Sequence, residues 1–366
     1  MIKINWNIIT GVFVFLIPLF ANAQFTDTKE IRKSYAITPE TQIEITNKYG
    51  KIDIKPWDKD SVKFLINIRV EEKKLSKLEE SIDEIDFEIR NSEHYLIVRT
   101  LVEKNKGALA REIKKFKETL LSSDGNIQVD YTVWMPDSNR LKIDNKFGDI
   151  YIGDFKGEAD ISLSNGNMKA HDFTSINLTL NFADATINKI TEGRLDCNFS
   201  DLFVKEIGAV HLESKSTEFE LQQVETLTLS SRRDKFRIGQ IELLDARSSF
   251  TTFRINEMLD RTKIQSEYGD IEIENTISDF SGISIESRST DINLYFNNET
   301  QFAFNIKQAK AELDMGMDFE VVKEETLDEK ENEIQINGYF GDNKNATEKL
   351  YINANSGNIN IRTSYQ

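Results

Sequence analysis

Apolar positions recur at a fixed interval through the middle of the chain. Ile187, Val204, Leu221, Ile238, Ile255 and Ile273 are separated by steps of 17, 17, 17, 17 and 18 residues. Ala185, Leu202, Phe219, Phe236, Phe253 and Ile271 keep the spacing two residues earlier, and Ile190, Ile207, Val224, Ile241 and Met258 keep it three residues later. Leu178, Leu195, Leu212, Leu229, Ala246 and Ile264 form a fourth column. Four columns on one period predict a coil repeated by stacking, with apolar residues facing inward at every level. The expected fold is therefore mainly β, a parallel solenoid with coils of about 17 residues.

A short phrase marks several coils: Asn47-Lys-Tyr-Gly-Lys-Ile-Asp-Ile, Asn145-Lys-Phe-Gly-Asp-Ile-Tyr-Ile, Ser266-Glu-Tyr-Gly-Asp-Ile-Glu-Ile and Asn355-Ser-Gly-Asn-Ile-Asn-Ile. It reads as a polar turn, with glycine expected at a positive φ, feeding a strand whose alternate residues face the core. The solenoid is placed at 136–300, beginning near Leu141, with one lengthened coil because Ile264 to Ile285 and Ile271 to Ile292 are each 21 residues apart. Residues 301–366 are expected to hold an excursion or hairpin, including the charged run 323–333, before Tyr351 to Ile361 restores the phrase in a closing coil.

Residues 24–135 follow different patterns and predict an N-terminal α+β capping region with two helices. Strand-like alternation at 42–46, 51–55 and 62–70 gives way to Leu75, Leu78, Ile82 and Ile85 at helical spacing. A second helix is expected over 107–121, where Leu109, Ile113, Phe116 and Leu120 make one stripe and Arg111, Lys114, Lys115 and Lys117 make the other face. Such a basic amphipathic helix suits peripheral membrane contact, although packing its stripe on a sheet is the commoner use.

Residues 1–23 are expected to be a cleaved export signal: Lys3, an apolar run over 8–20, then Ala21-Asn22-Ala23 ahead of Gln24. That run is shorter than the roughly 20 residues a spanning helix needs. The expected location is therefore exported, in the periplasm or at the cell surface and beyond. Cys197 is the only cysteine, so neither a disulfide framework nor a lipid anchor at the cleavage point is expected, and it reads as a small core residue. A net charge of −16 disfavours nucleic acid and anionic membrane as general partners.

Outward columns become ladders in a stacked coil. One reads Thr186, Phe203, Glu220, Arg237, Arg254 and Glu272, predicting Glu220–Arg237 and Arg254–Glu272 pairs. Another reads Lys189, Glu206, Gln223, Gln240, Glu257 and Asn275. Such surface pairs each contribute under about 1 kcal/mol and set register, while a carbohydrate or peptide strip would use the same geometry. Asp184, Asp201 and Glu218 share a turn column, with Asp149 and Asp270 at the related Gly-Asp position. Stacked acids of this kind could raise a pKa, bind a cation or act on a polysaccharide, but the column continues as Lys235 and Thr252. His94, His171 and His211 have no ligand spacing, and there is no GxGxxG, phosphate loop, HExxH or GxSxG. The expectation is a non-enzyme with no catalytic residues, cofactor or metal.

The phrases NKYGKIDIKPW at 47–57, NKFGDIYIGDF at 145–155 and the closing NSGNINIRT resemble an exported bacterial family, an adhesin-type domain of unknown function. The likeness spans most of the chain beyond the leader. It implies a right-handed β-solenoid of irregular coils and a non-enzymatic, envelope-associated role, with no catalytic residues to carry over. The expected function is an adhesin-like binding or structural module working through an extended solenoid surface, with an envelope protein or a glycan as partner. One alternative is a polysaccharide-active β-helix enzyme using Asp184 and Asp201. The other is an envelope-stress or signalling accessory reaching a membrane partner through the 107–121 helix.

Overall fold

The computed structural model describes residues 25–102 and 125–364; the expected leader at 1–23 and the expected helix at 107–121 lie outside the described residues. Among the described residues there are 23 strands and one helix. That helix, Leu75–Asp83, has no side-chain cap and buries only Leu78, so packing against the strand Ser61–Glu72 holds it. Ile85, the last residue of its apolar spacing, already opens the next strand, Ile85–Asn91.

The repeat is a stack of long parallel strands: Asp184–Asn198, Asp201–Lys215, Glu218–Arg232, Lys235–Ser249 and Thr252–Glu267. Asp184 lies opposite Asp201, Asp201 opposite Glu218, Glu218 opposite Lys235, and Lys235 opposite Thr252, so each step along the stack is 17 residues. Within a strand the pairing skips Asn188 and Thr191, so the ladder is interrupted at these two positions. The four apolar columns are the buried interior. Phe219, Phe236 and Phe253 stack inside it at 4.6 Å and 5.1 Å between ring centroids. The lengthened coil carries Ile264 opposite Ile285 and Ile271 opposite Ile292, and its extra chain turns Phe280 into the core.

Both ends differ from the sequence expectation. The stack starts before Leu141, because Gln42–Lys48 and Ile52–Pro56 pair in register with Leu141–Lys146 and Ile150–Ile152. The chain between them is an inserted cap, to which the preceding strand Phe25–Ala36 adds. Tyr95–Val102 and Gly125–Met135 extend the two sheets in parallel, then Ile85–Asn91 and Ser61–Glu72 add on antiparallel, with Phe25–Ala36 outermost. At the far end, the last strand, Glu348–Thr363, is not the last level. It inserts between the coil of Gly282–Arg288 and Asp291–Phe296 and the later strand Phe302–Met315. Glu333–Phe340 and Phe319–Asp328 then close that end antiparallel, over a cluster of Phe296, Phe302, Phe319 and Phe340. The antiparallel strands cover the first end, and at the far end they cover Phe302–Ala309, while Ala311–Met315 pairs only with Glu348–Thr363 and stays an edge among the described residues.

Candidate binding edge

Each coil passes from one sheet to the next through a tight corner, and a non-glycine residue takes the left-handed conformation there. Phe182, Phe199, Ser216, Arg233 and Phe250 have φ of 52°, 53°, 54°, 62° and 57°. Each donates its backbone N–H to a carbonyl just before the next corner: Phe182 to Asn198 at 3.0 Å, Phe199 to Lys215 at 2.9 Å, Phe250 to Glu267 at 2.8 Å. In the recurring phrase the left-handed residue is the aromatic, since Tyr49, Phe147 and Tyr268 have φ of 65°, 56° and 56°. The glycine that follows, expected at positive φ, serves close approach instead. A Cβ on Gly50 would lie 2.1 Å from the Val129 carbonyl oxygen, and one on Gly148 1.9 Å from that of Gly50. Only in the last phrase does the glycine itself, Gly357, take a positive φ, next to Ser356.

The corner residues make an aromatic column on the outside of the stack. Tyr49 stacks on Phe147 at 5.6 Å, Phe182 on Phe199 at 4.9 Å and Phe250 on Tyr268 at 5.0 Å. Asn165 separates the first pair from the second, and Ser216 and Arg233 separate the second from the third. Tyr49 is half-buried and the other five residues are exposed, Phe182 at 61% and Phe250 at 52%. A bulky residue at positive φ is uncommon, and strain of this kind costs on the order of 1–3 kcal/mol. Burial does not offset that cost for Phe182, so the fold alone gives no reason for a phenylalanine there.

Two residues further on runs the acidic turn column. Asp184, Asp201 and Glu218 occupy successive levels, about 4.8 Å apart by strand spacing. Elsewhere the same column spends its carboxylates on the stack. Asp149 accepts from the backbone and side-chain nitrogens of Asn167 at 2.9 and 3.0 Å, and Asp291 accepts identically from Asn358. Above Asp184 stands another acid in place of asparagine, so that clamp cannot form. Among the described residues, the Asp184 and Asp201 carboxylates have no ion pair or hydrogen-bond partner, whereas Glu218 pairs with Arg237.

Burial, then the neighbouring Asp184 and Glu218 charges, push the Asp201 carboxyl above the usual aspartate range. Because the folded pKa is raised, the folded state holds this proton more readily than the unfolded chain. The Asp201 contribution to stability therefore falls as pH rises through the window between the ordinary and raised values. Asp201→Asn is expected to raise the urea midpoint at pH 7, by under about 1 kcal/mol for so exposed a group, and to lose that gain below the ordinary aspartate pKa. Equal midpoints at both pH values would show that the stacked acids do not repel.

The other sequence candidates fall into structural roles. Arg254 meets Glu272 at 3.6 Å and Lys189 meets Glu206 at 3.3 Å, as the ladders imply. Arg237, however, reaches diagonally to Glu218, although Glu220 is its register partner. His171 lies 3.4 Å from Asp154 and His211 3.6 Å from Glu213, both on the surface, and no cluster of metal-ligating side chains occurs among the described residues. Cys197 is buried, and burial pushes its thiol up, away from the reactive thiolate. The column that the sequence reading missed is the aromatic one. Its signal was present: Phe182 and Phe199 are one 17-residue step apart, and Tyr49, Phe147 and Tyr268 hold one place in the phrase.

At its N-terminal end the aromatic column borders an open groove of about 630 Å³, with Tyr49 and Phe147 beside Lys51, Arg69, Asp130 and Asp149. The charges in this groove are largely engaged with each other and the backbone: Arg69 pairs with Glu71, and Asp130 accepts from the Lys51 N–H and the Gln128 amide. Lys48 lies 4.8 Å from the Tyr49 ring centre and Lys215 5.6 Å from that of Phe199.

These features define a class: a mainly β, solenoid-like repeat protein whose unspent surface chemistry lies along one corner. The chain belongs to the Toastrack DUF4097 family, a domain of unknown function, whose profile matches residues 40–362. No curated protein matches the chain. A crystal structure described as a putative cell adhesion protein from Clostridium sporogenes ATCC 15579 aligns at 11% identity, covering 92% of this chain and 100% of that one. Its TM-score is 0.18, too low to bear on either fold or function.

Proposed function

We propose that the protein is a non-enzymatic, exported cell-envelope module, adhesin-like in use, that presents its corner as a binding edge. The coil is taken as right-handed, with about 17 residues per regular turn, and residues 1–23 as the export signal. The observation that carries this reading is the exposed aromatic column, held in strained backbone beside carboxylates that the stack does not use. A preformed edge on a continuous hydrogen-bonded ladder loses little conformational freedom when a partner docks. The same geometry weighs against polysaccharide cleavage by the turn acids. Asp184 and Asp201 project from one column on one side, whereas a glycosidase places its two carboxyl groups on either side of the scissile bond.

The test is fractionation and crosslinking of intact cells expressing the full chain with a C-terminal tag. Recovery in the envelope or outside the cell, dependent on residues 1–23, with one defined crosslinked partner, is the expected result. Cytoplasmic retention of the full chain would overturn the export reading, and absence of any defined crosslink would overturn the binding reading.

A further inference from the structure

The middle of the corner carries its own partner specification. Phe182 and Phe199 stack nearly parallel, 3° between planes, on two successive levels. Asp184 and Asp201 stack on the same two levels, two residues away, and pair with nothing among the described residues. On the other flank the same levels carry Asn181 and Asn198, with the Asn198 amide donating to Asn181 and to Asp196, and the nearest cation in that column is Lys215, one level on, whose ammonium lies 5.6 Å from the Phe199 ring centre and pairs with neither acid.

We propose that this stretch, Phe182, Phe199, Asp184 and Asp201, docks a basic polypeptide segment whose lysine or arginine side chains lie along the rings and end at the two carboxylates. The inference rests on the reading of the corner as a binding edge and assigns it an occupant. Charge complementarity decides the occupant. A partner ammonium or guanidinium relieves the repulsion between the stacked acids, and a phenyl ring accepts the cation and its aliphatic stem. The chain makes such a contact with its own residues, the Lys48 ammonium over Tyr49 and the Lys215 ammonium over Phe199, which leaves the Phe182 ring for the partner's cation. Spacing agrees as well. Same-face residues of an extended peptide recur every ~6.8 Å, and the flexible lysine stem spans the difference from the ~4.8 Å between levels. A net charge of −16 steers cationic segments towards the molecule and anionic ones away.

The test measures binding of a fluorescent peptide of alternating lysine and serine to the full chain, with a glutamate–serine peptide and a neutral β-linked glucose oligosaccharide as comparison probes. Three double variants accompany the wild type: Phe182→Asn with Phe199→Asn, Asp184→Asn with Asp201→Asn, and Glu324→Gln with Glu329→Gln on the distant C-terminal cap. Asparagine is tolerated in the left-handed region and already stands at the Asn165 corner, so the phenylalanine variant keeps the fold, which circular dichroism verifies. The expected result is salt-sensitive binding of the lysine peptide alone, weakened tenfold or more in each of the first two variants and unchanged in the third. Equal weakening in the cap variant would reduce the effect to bulk charge and overturn the proposal, as would no binding by the wild type. Oligosaccharide binding lost only in the phenylalanine variant would overturn the basic occupant while leaving the binding-edge reading intact.

Discussion

Phe236→Ala is expected to destabilise the protein by about 3–5 kcal/mol, read as a lowered urea midpoint and as lost amide protection concentrated in the strands around 219–253. Phe236 is buried between Phe219 at 4.6 Å and Phe253 at 5.1 Å, with 5° and 13° between the ring planes. Truncation removes the transfer energy of the ring and opens a void that its neighbours cannot fill. The levels above and below are pinned at ~4.8 Å by continuous backbone ladders, so the rings cannot slide together to close it. Phe236→Leu, which keeps most of the volume, should cost about 1 kcal/mol. The localisation follows from the architecture, because a stacked repeat touches only its neighbours and loosens where an interface fails. Phe182→Asn, on the corner of the same stack, is expected to be nearly neutral, since it removes an exposed ring and places a tolerated residue at positive φ. Comparable losses at 236 and 182 would mean that the two phenylalanine columns share one structural role.

That contrast also separates what the sequence could show from what it could not. The four inward columns were legible because burial selects residue type at every level, and alternation within a strand fixes which residues turn inward. The acid ladder through Asp184 and Asp201 was legible only from the spacing, once the period was known, because those side chains are exposed and burial does not select them. The corner was not, because its rule is conformational. Left-handed backbone is usually filled by glycine or asparagine, so the glycine of Tyr49-Gly50 was the natural candidate, and the tyrosine before it was not. Close approach requires glycine as firmly as positive φ does, and the letter does not distinguish the two. The ends were illegible for another reason. Nothing local in Glu348–Thr363 records that it inserts between two earlier levels, since its phrase would fit any position in the stack. Arg237 illustrates the limit of column counting: a long side chain chooses among several carboxylates within reach, and it took Glu218.

The second large effect is expected at a residue that no column count singled out. Asp234 follows the Arg233 corner, is 1% exposed, and accepts four hydrogen bonds: from the Ser214 and Ser231 hydroxyls at 2.7 Å each, the Thr217 N–H at 2.7 Å and the Arg232 N–H at 3.0 Å. Its own N–H is met by the Thr251 hydroxyl oxygen at 3.4 Å. One carboxylate therefore satisfies donors from the two levels before its own, which is how a charge survives in the apolar stack. Asp234→Ala leaves the buried Thr217 N–H and the partly buried Arg232 N–H without this acceptor, and no rotation can redirect them. The hydroxyls can turn: Ser231 already lies 2.8 Å from the Thr251 hydroxyl. At about 1–3 kcal/mol for each orphaned amide, the alanine variant should lose about 3–5 kcal/mol. Asp234→Asn keeps one oxygen as acceptor, for Thr217 N–H or for Arg232 N–H but not both, so it should lose roughly half as much. Urea unfolding of the two variants gives the ranking. If asparagine proved as damaging as alanine, the charge itself would be what the network requires; if both proved neutral, water would be filling the site and the carboxylate would not be holding these three coils together.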